Sequence, residues 1–186
     1  NKVLNNSKNV ADITYGTTIK SQSEVIDING YKYDSVDKDT ITIGTSGNVI
    51  NIYYTKRTDL SYKVNYLEKG TNKVLHTQKV QDGMTFESTV KSSDEVIKID
   101  GYNYNSVDKE TLTITTDENV INIYYTKRTD LSYTVNYLEK DTNKVLHDPK
   151  TTGNMTFGVT VTSSKEVIEI DGYDYNSVDK ETLIIT

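Results

Sequence analysis

The sequence predicts a β-rich α+β chain made of three tandem copies of one small module, and three observations carry that prediction. Gly30-Tyr31, Gly101-Tyr102 and Gly172-Tyr173 recur at a constant interval of 71 residues. The run Asn48 to Leu60 returns unchanged as Asn119 to Leu131, and residues 60–115 differ from 131–186 at about 15 of 56 positions. A fixed period of this kind is the mark of a repeat architecture. The third observation is composition: 15 Tyr, no Trp, no Cys, one Pro and many Thr, Val, Ile and Asn. β-branched and aromatic side chains suit a pleated, half-buried surface.

The period divides the chain into 1–59, 60–130 and 131–186. Asn1-Lys2-Val3-Leu4 matches Asn72-Lys73-Val74-Leu75, so the first copy lacks an opening strand. The third copy ends at Thr186, the equivalent of Thr115, and lacks the closing strand that the second carries at 119–128. The chain therefore reads as a piece of a longer protein, with one complete copy.

Within that copy the elements follow from alternation. Leu60, Tyr62, Val64 and Tyr66 alternate with polar residues as a half-buried opening strand. Gly70-Thr71-Asn72 is a turn, and a second strand begins at Val74-Leu75. Phe86 and Val90, four apart, suggest a short helix within 84–94. Strands are expected from Glu95 to Ile99 and from Tyr102 to Val107, kinked at Asp100-Gly101, and another at Leu112 and Ile114. Asp117-Glu118-Asn119 turns into a closing strand with Ile121, Ile123 and Tyr125 on one face. Only Thr129-Asp130 separates this strand from Leu131, and Thr58-Asp59 plays the same part before Leu60. Two residues leave no flexible coil, so the modules are expected end to end as a rod.

Composition also narrows the function classes. A hydrophobic fraction of 34% allows only a thin core of Val, Ile, Leu and Tyr. A net charge of −6 is the wrong sign for nucleic acid, whose partners carry excess Lys and Arg. No apolar run reaches bilayer-spanning length, so no membrane insertion is expected. The absence of Cys removes disulfides and thiolate metal sites.

Candidate chemistry is sparse. His76 and His147 share one repeat position, held by Asn5 in the first copy, and no nucleophile motif accompanies them. They read as hairpin histidines; the chain is expected not to be an enzyme and to need no cofactor. The acidic turn Thr116-Asp117-Glu118-Asn119 becomes Thr45-Ser46-Gly47-Asn48 in the first copy, without a carboxylate, which argues against a repeated calcium site. The Asp of Ser106-Val107-Asp108-Lys109 is kept in every copy, as ordinary turn chemistry. The candidate ligand residues are the Gly-Tyr-x-Tyr pairs: Tyr31 and Tyr33, Tyr102 and Tyr104, Tyr173 and Tyr175. Two residues apart on a strand, each pair shares a face and suits either a sugar-stacking platform or, as the favoured reading, a Trp-free core. Abundant Lys and Asn also leave an intramolecular Lys–Asn isopeptide bond open.

Tyr62-Lys63-Val64-Asn65-Tyr66-Leu67-Glu68, Ile99-Asp100-Gly101-Tyr102 and Val120-Ile121-Asn122-Ile123-Tyr124-Tyr125, in this order, resemble the MucBP-type (mucin-binding protein) repeats of Gram-positive cell-surface adhesins. That family often has Pro before the central Gly-Tyr, where Asn29, Asp100 and Asp171 stand here. The resemblance implies a small β-grasp-like (ubiquitin-like) module, an extracellular place on a wall-anchored surface protein, and attachment to host mucin or another glycoprotein. The alternative expectation is a non-binding stalk that projects a distal adhesive domain.

Overall fold

The structure, a computed structural model, describes residues 2–186; Asn1, the first residue matched to the second copy, lies outside them. Packing divides the chain into two compact units. One is Asn1–Val64 with Gln78–Asp94 and Lys109–Ile121, and the other is Asn65–Thr77 with Glu95–Asp108 and Asn122–Thr186.

The first copy contributes β1 (Thr18–Lys20), β2 (Tyr31–Val36), β3 (Thr40–Thr42) and β4 (Ile52–Lys56). The second contributes β5 (Leu60–Glu68), β6 (Val74–Met84), β7 (Thr89–Lys91), β8 (Tyr102–Val107), β9 (Thr111–Thr113) and β10 (Val120–Lys127). The third contributes β11 (Leu131–Leu138), β12 (Val145–Met155), β13 (Thr160–Thr162) and β14 (Thr182–Ile184).

The second copy has a four-stranded sheet in the order β6-β5-β10-β8. Lys63 N–H donates to the Asn119 carbonyl, and Lys69 N–H to the Tyr125 carbonyl, both at 2.8 Å. The offset is equal along both strands, so β5 and β10 run parallel. Such a pair needs a long crossover, and β6 to β9 supply it. The first copy has only the β2-β4 half of this sheet, and the third only the β11-β12 half. Every copy also carries a small antiparallel ribbon: β1-β3, β7-β9 and β13-β14.

Burial follows the alternation. In the first unit Leu60, Tyr62 and Val64 are buried with Leu112, Ile114 and Ile121; in the second, Tyr66, Ile123 and Tyr125 are buried. Val64, Ile114, Ile121 and Ile123 are each 0% exposed, and such side chains contribute about 1.5–3 kcal/mol apiece.

Three expectations are corrected. Among the described residues there is no α-helix, so the α+β class and the β-grasp-like module, in which a sheet clasps a helix, are not what the chain forms. Helical geometry is limited to three 3₁₀ turns at Ser21–Glu24, Ser92–Glu95 and Ser163–Glu166. The segment 84–94 is instead a turn and a strand. Ser88 N–H and Oγ both bind the Thr85 carbonyl, at 3.0 and 2.6 Å, and Glu87 takes a positive φ of 62°. Val90 then pairs with Leu112. Ser and Asp favour local backbone bonding over helix interiors, and four residues are far too few to sustain a helix. The strand expected from Glu95 to Ile99 is also missing. Glu95 closes the 3₁₀ turn, and the Ile97 backbone is bound by the Tyr125 hydroxyl instead of a neighbouring strand. Among the described residues no helix is long and apolar enough to cross a membrane.

Candidate functional site

Each Gly-Tyr-x-Tyr pair opens on a tight turn, in which Tyr102 N–H donates to the Ile99 carbonyl at 3.1 Å. Gly101 sits at φ 77°, a region that costs side-chain-bearing residues roughly 1–2 kcal/mol. β8 then pairs antiparallel with β10, placing Tyr104 opposite Tyr125 and Tyr102 opposite Lys127, with an irregularity after Tyr104. Tyr102 and Tyr104 therefore face the same side. Their environments differ. Tyr102 is half-buried, edge-on to Phe157 with centroids 5.6 Å apart, whereas Tyr104 is 50% exposed, edge-on to Tyr125 at 6.3 Å.

The aromatic of this region that belongs to the core is Tyr125, 1% exposed. Its hydroxyl accepts from Ile97 N–H at 3.1 Å and donates to the Ile97 carbonyl at 2.9 Å. Burial pushes its ionisation up. The Tyr102 hydroxyl is also pushed up, first by burial and then by the negative Glu68.

Between the turn and the end of β10 lies a groove of about 550 Å³, lined by Ile97, Ile99, Tyr102, Tyr104, Arg128 and Asp130 among others. The Arg128 guanidinium grips Asp130 with two bonds of 2.9 Å, from Nε to Oδ1 and from Nη2 to Oδ2. That fork lowers the Asp130 carboxyl below its ordinary value. The first copy repeats the arrangement. Tyr31 stands edge-on to Phe86 at 5.6 Å and Tyr33 to Tyr54 at 6.3 Å, and Arg57 grips Asp59 with the same two bonds.

The two phenylalanines belong to the next module. Gly101 C=O accepts from Arg128 N–H, and Arg128 C=O accepts from Phe157 N–H, both at 2.9 Å. The Phe157 ring covers Gly101, where an added Cβ would fall inside 3.0 Å of three ring atoms; Phe86 covers Gly30 in the same way. Each glycine is thus a socket for an aromatic plug.

The third pair departs from this arrangement. Tyr173 and Tyr175 are 41% and 61% exposed, lie outside any strand, and have no ring over Gly172, where a Cβ would meet nothing within 4 Å. Two of the three predicted pairs are therefore brought into one constellation and the third is not. Sequence reasoning missed Phe86, Phe157 and the Arg-Thr-Asp forks, although the plugs lie one period apart and the forks fall within the unchanged 13-residue run.

The other candidates have structural roles. The rings of His76 and His147 stand edge-on to Tyr66 and Tyr137 at 5.4 Å, with Nδ1 against the Thr77 and Asp148 carbonyls. Asn119, 5% exposed, closes its turn by bonding Thr115 and reaching the Ser61 carbonyl. No cluster of three metal-ligating side chains occurs among the described residues. Compared with known families and with curated proteins, the chain matches none.

Proposed function

We propose that this chain is a repeat region of a bacterial cell-surface adhesin, acting outside the cell and without catalysis, whose modules each bind host mucin or glycoprotein glycan weakly. The resemblance to MucBP-type repeats supports the class. The observation that carries the reading is the groove of the second copy, with Tyr104 half exposed at its wall and the Arg128–Asp130 fork at its rim; the first copy keeps the edge-on ring pair and the fork as Tyr33 with Tyr54 and Arg57–Asp59.

A sugar ring has an apolar C–H face and a rim of hydroxyls. The exposed tyrosine ring offers a surface for the first, and the fork and adjacent backbone offer donors and acceptors for the second. One open groove of this kind binds weakly, and repeated modules that engaged a ligand together would raise avidity by about 10²–10⁴. A net charge of −6 favours neutral glycans over sialylated or sulfated ones.

The test is a mucin and glycan binding screen of the chain beside its Tyr33→Ala/Tyr104→Ala variant. Binding by the parent and loss in the variant, with unchanged unfolding, is expected. Equal binding by both, or none by the parent, overturns the reading. The second reading is the non-binding stalk, favoured by the Phe plugs and the two-residue linkers. It expects no glycan to bind.

A further inference from the structure

We infer that Phe86 and Phe157 are positioning residues for the glycan site: each holds in place the aromatic and polar groups that the preceding copy offers to a sugar, so that a copy binds fully only with the next one docked against it. The inference rests on the glycan-binding reading above and adds to it two residues that touch no sugar.

Phe157 does not line the groove, yet it reaches three residues that do: Gly101, Tyr102 and Arg128. Its ring covers Gly101 and stands edge-on to Tyr102, with centroids 5.6 Å apart and planes at 62°. Its N–H donates to the Arg128 carbonyl, and Arg128 N–H donates to the Gly101 carbonyl, both at 2.9 Å. The residue that carries the fork is thus fixed on both sides of its backbone, once by its own copy and once by the next.

The first copy meets the second in the same way. Tyr31 stands edge-on to Phe86 at 5.6 Å and 68°, Arg57 N–H donates to the Gly30 carbonyl at 3.0 Å, and Phe86 N–H donates to the Arg57 carbonyl at 2.9 Å. Each set lies within one compact unit, although two consecutive copies build it. The two junctions also separate the shared contact from the incidental one. Lys56 pairs with Glu87 at 2.9 Å in the first, but Gly158 takes the place of Glu87 in the second. Such an exposed pair contributes little, and the ring, the glycine and the arginine backbone are what both junctions keep. A plug drawn out of its socket frees the Tyr102 ring and releases the Arg128 carbonyl. A site that is assembled in only part of the population binds weaker by that fraction. The coupling is reciprocal, so a sugar that needs these groups in place also holds the plug in.

The experiment titrates released mucin oligosaccharides into the full chain, its Phe86→Ala/Phe157→Ala variant and a Val90→Ala/Val161→Ala control. The control weakens the ribbons of the same two copies, where Val90 faces Leu112 and Val161 faces Leu183, without touching a plug. The plug variant is expected to bind about tenfold more weakly, as when the competent arrangement falls to roughly one tenth of the population, and the control to bind like the parent. In the parent, hydrogen exchange at the Phe86 and Phe157 N–H groups is expected to slow by a similar factor of about ten at saturation, a response that a purely structural plug does not give. Equal binding by parent and plug variant, an equal loss in the control, or unchanged exchange at both N–H groups overturns the inference and leaves the glycan reading in place. Absence of binding by the parent overturns both.

Discussion

Replacing Gly101 by Ala places a methyl group inside 3.0 Å of three ring atoms of Phe157 while φ stands at 77°. Two costs then add. Left-handed backbone with a Cβ costs roughly 1–2 kcal/mol, and forcing a side chain out of a filled site costs about 1–3 kcal/mol. The total of about 2–5 kcal/mol has an internal control, because Gly172 has the same φ of 77° and nothing within 4 Å of the added Cβ. Gly172→Ala should therefore cost only the backbone term. Gly30→Ala should behave like Gly101→Ala, since Phe86 covers it and φ is 79°. Residue-resolved hydrogen exchange suits a chain of several modules, where a single unfolding midpoint is poorly defined. Gly101→Ala should accelerate exchange at Phe157 N–H, whose bond to the Arg128 carbonyl depends on the plug. Combining it with Phe157→Ala should cost less than the sum of the two changes, because they meet at one contact. Equal penalties at Gly101 and Gly172 would refute the plug-and-socket account and leave backbone strain as the whole effect.

Three further outcomes follow from the same geometry. Tyr125→Phe should destabilise the second module by about 1–3 kcal/mol by stranding the Ile97 backbone groups, and Tyr54→Phe should cost less because its bonds to Ile26 are exposed; equal losses in urea unfolding would count against this. Ile123→Ala should cost about 2–5 kcal/mol, and its identical counterpart Ile52, only half-buried, clearly less. Glu166 accepts from Lys150 at 2.6 Å and from Tyr133 at 2.9 Å, contacts that lower its ionisation in that order. Its folded value lies below its unfolded one, so its contribution is present above the ordinary Glu value of about 4.3 and is lost as pH falls through the folded value. Melting curves from pH 6 to pH 2 should therefore show a steeper acid loss for the parent than for Glu166→Gln, and identical profiles would remove Glu166 from the account.

Much of the module can be read from local pattern alone. The period, the faces of β5 and β10, and the turns at Gly70 and Gly101 depend on neighbours in sequence, and alternation reports which side chains share a face. The absence of a helix at 84–94 was less legible. Phe86 and Val90 are spaced for a helix face, but Phe86 serves a glycine of the preceding copy, and Val90 a ribbon with Leu112. Both tasks are set by partners distant in sequence, which a helical period cannot reveal.

The candidate site divides in the same way. That Tyr102 and Tyr104 point to one side was legible. That one meets a phenylalanine from the next module and the other lies half in solvent was not. The sequence by itself determined the repeat, the strand-forming palette and the alternation, because these are properties of neighbouring residues. Tertiary structure decided which copies of the same residue or segment are buried and paired. Ile52 and Ile123, or 102–107 and 173–178, are the same or nearly the same residues in different states. The physical reason is that burial and strand pairing belong to pairs of segments distant in sequence, which the pattern of neighbouring residues does not report.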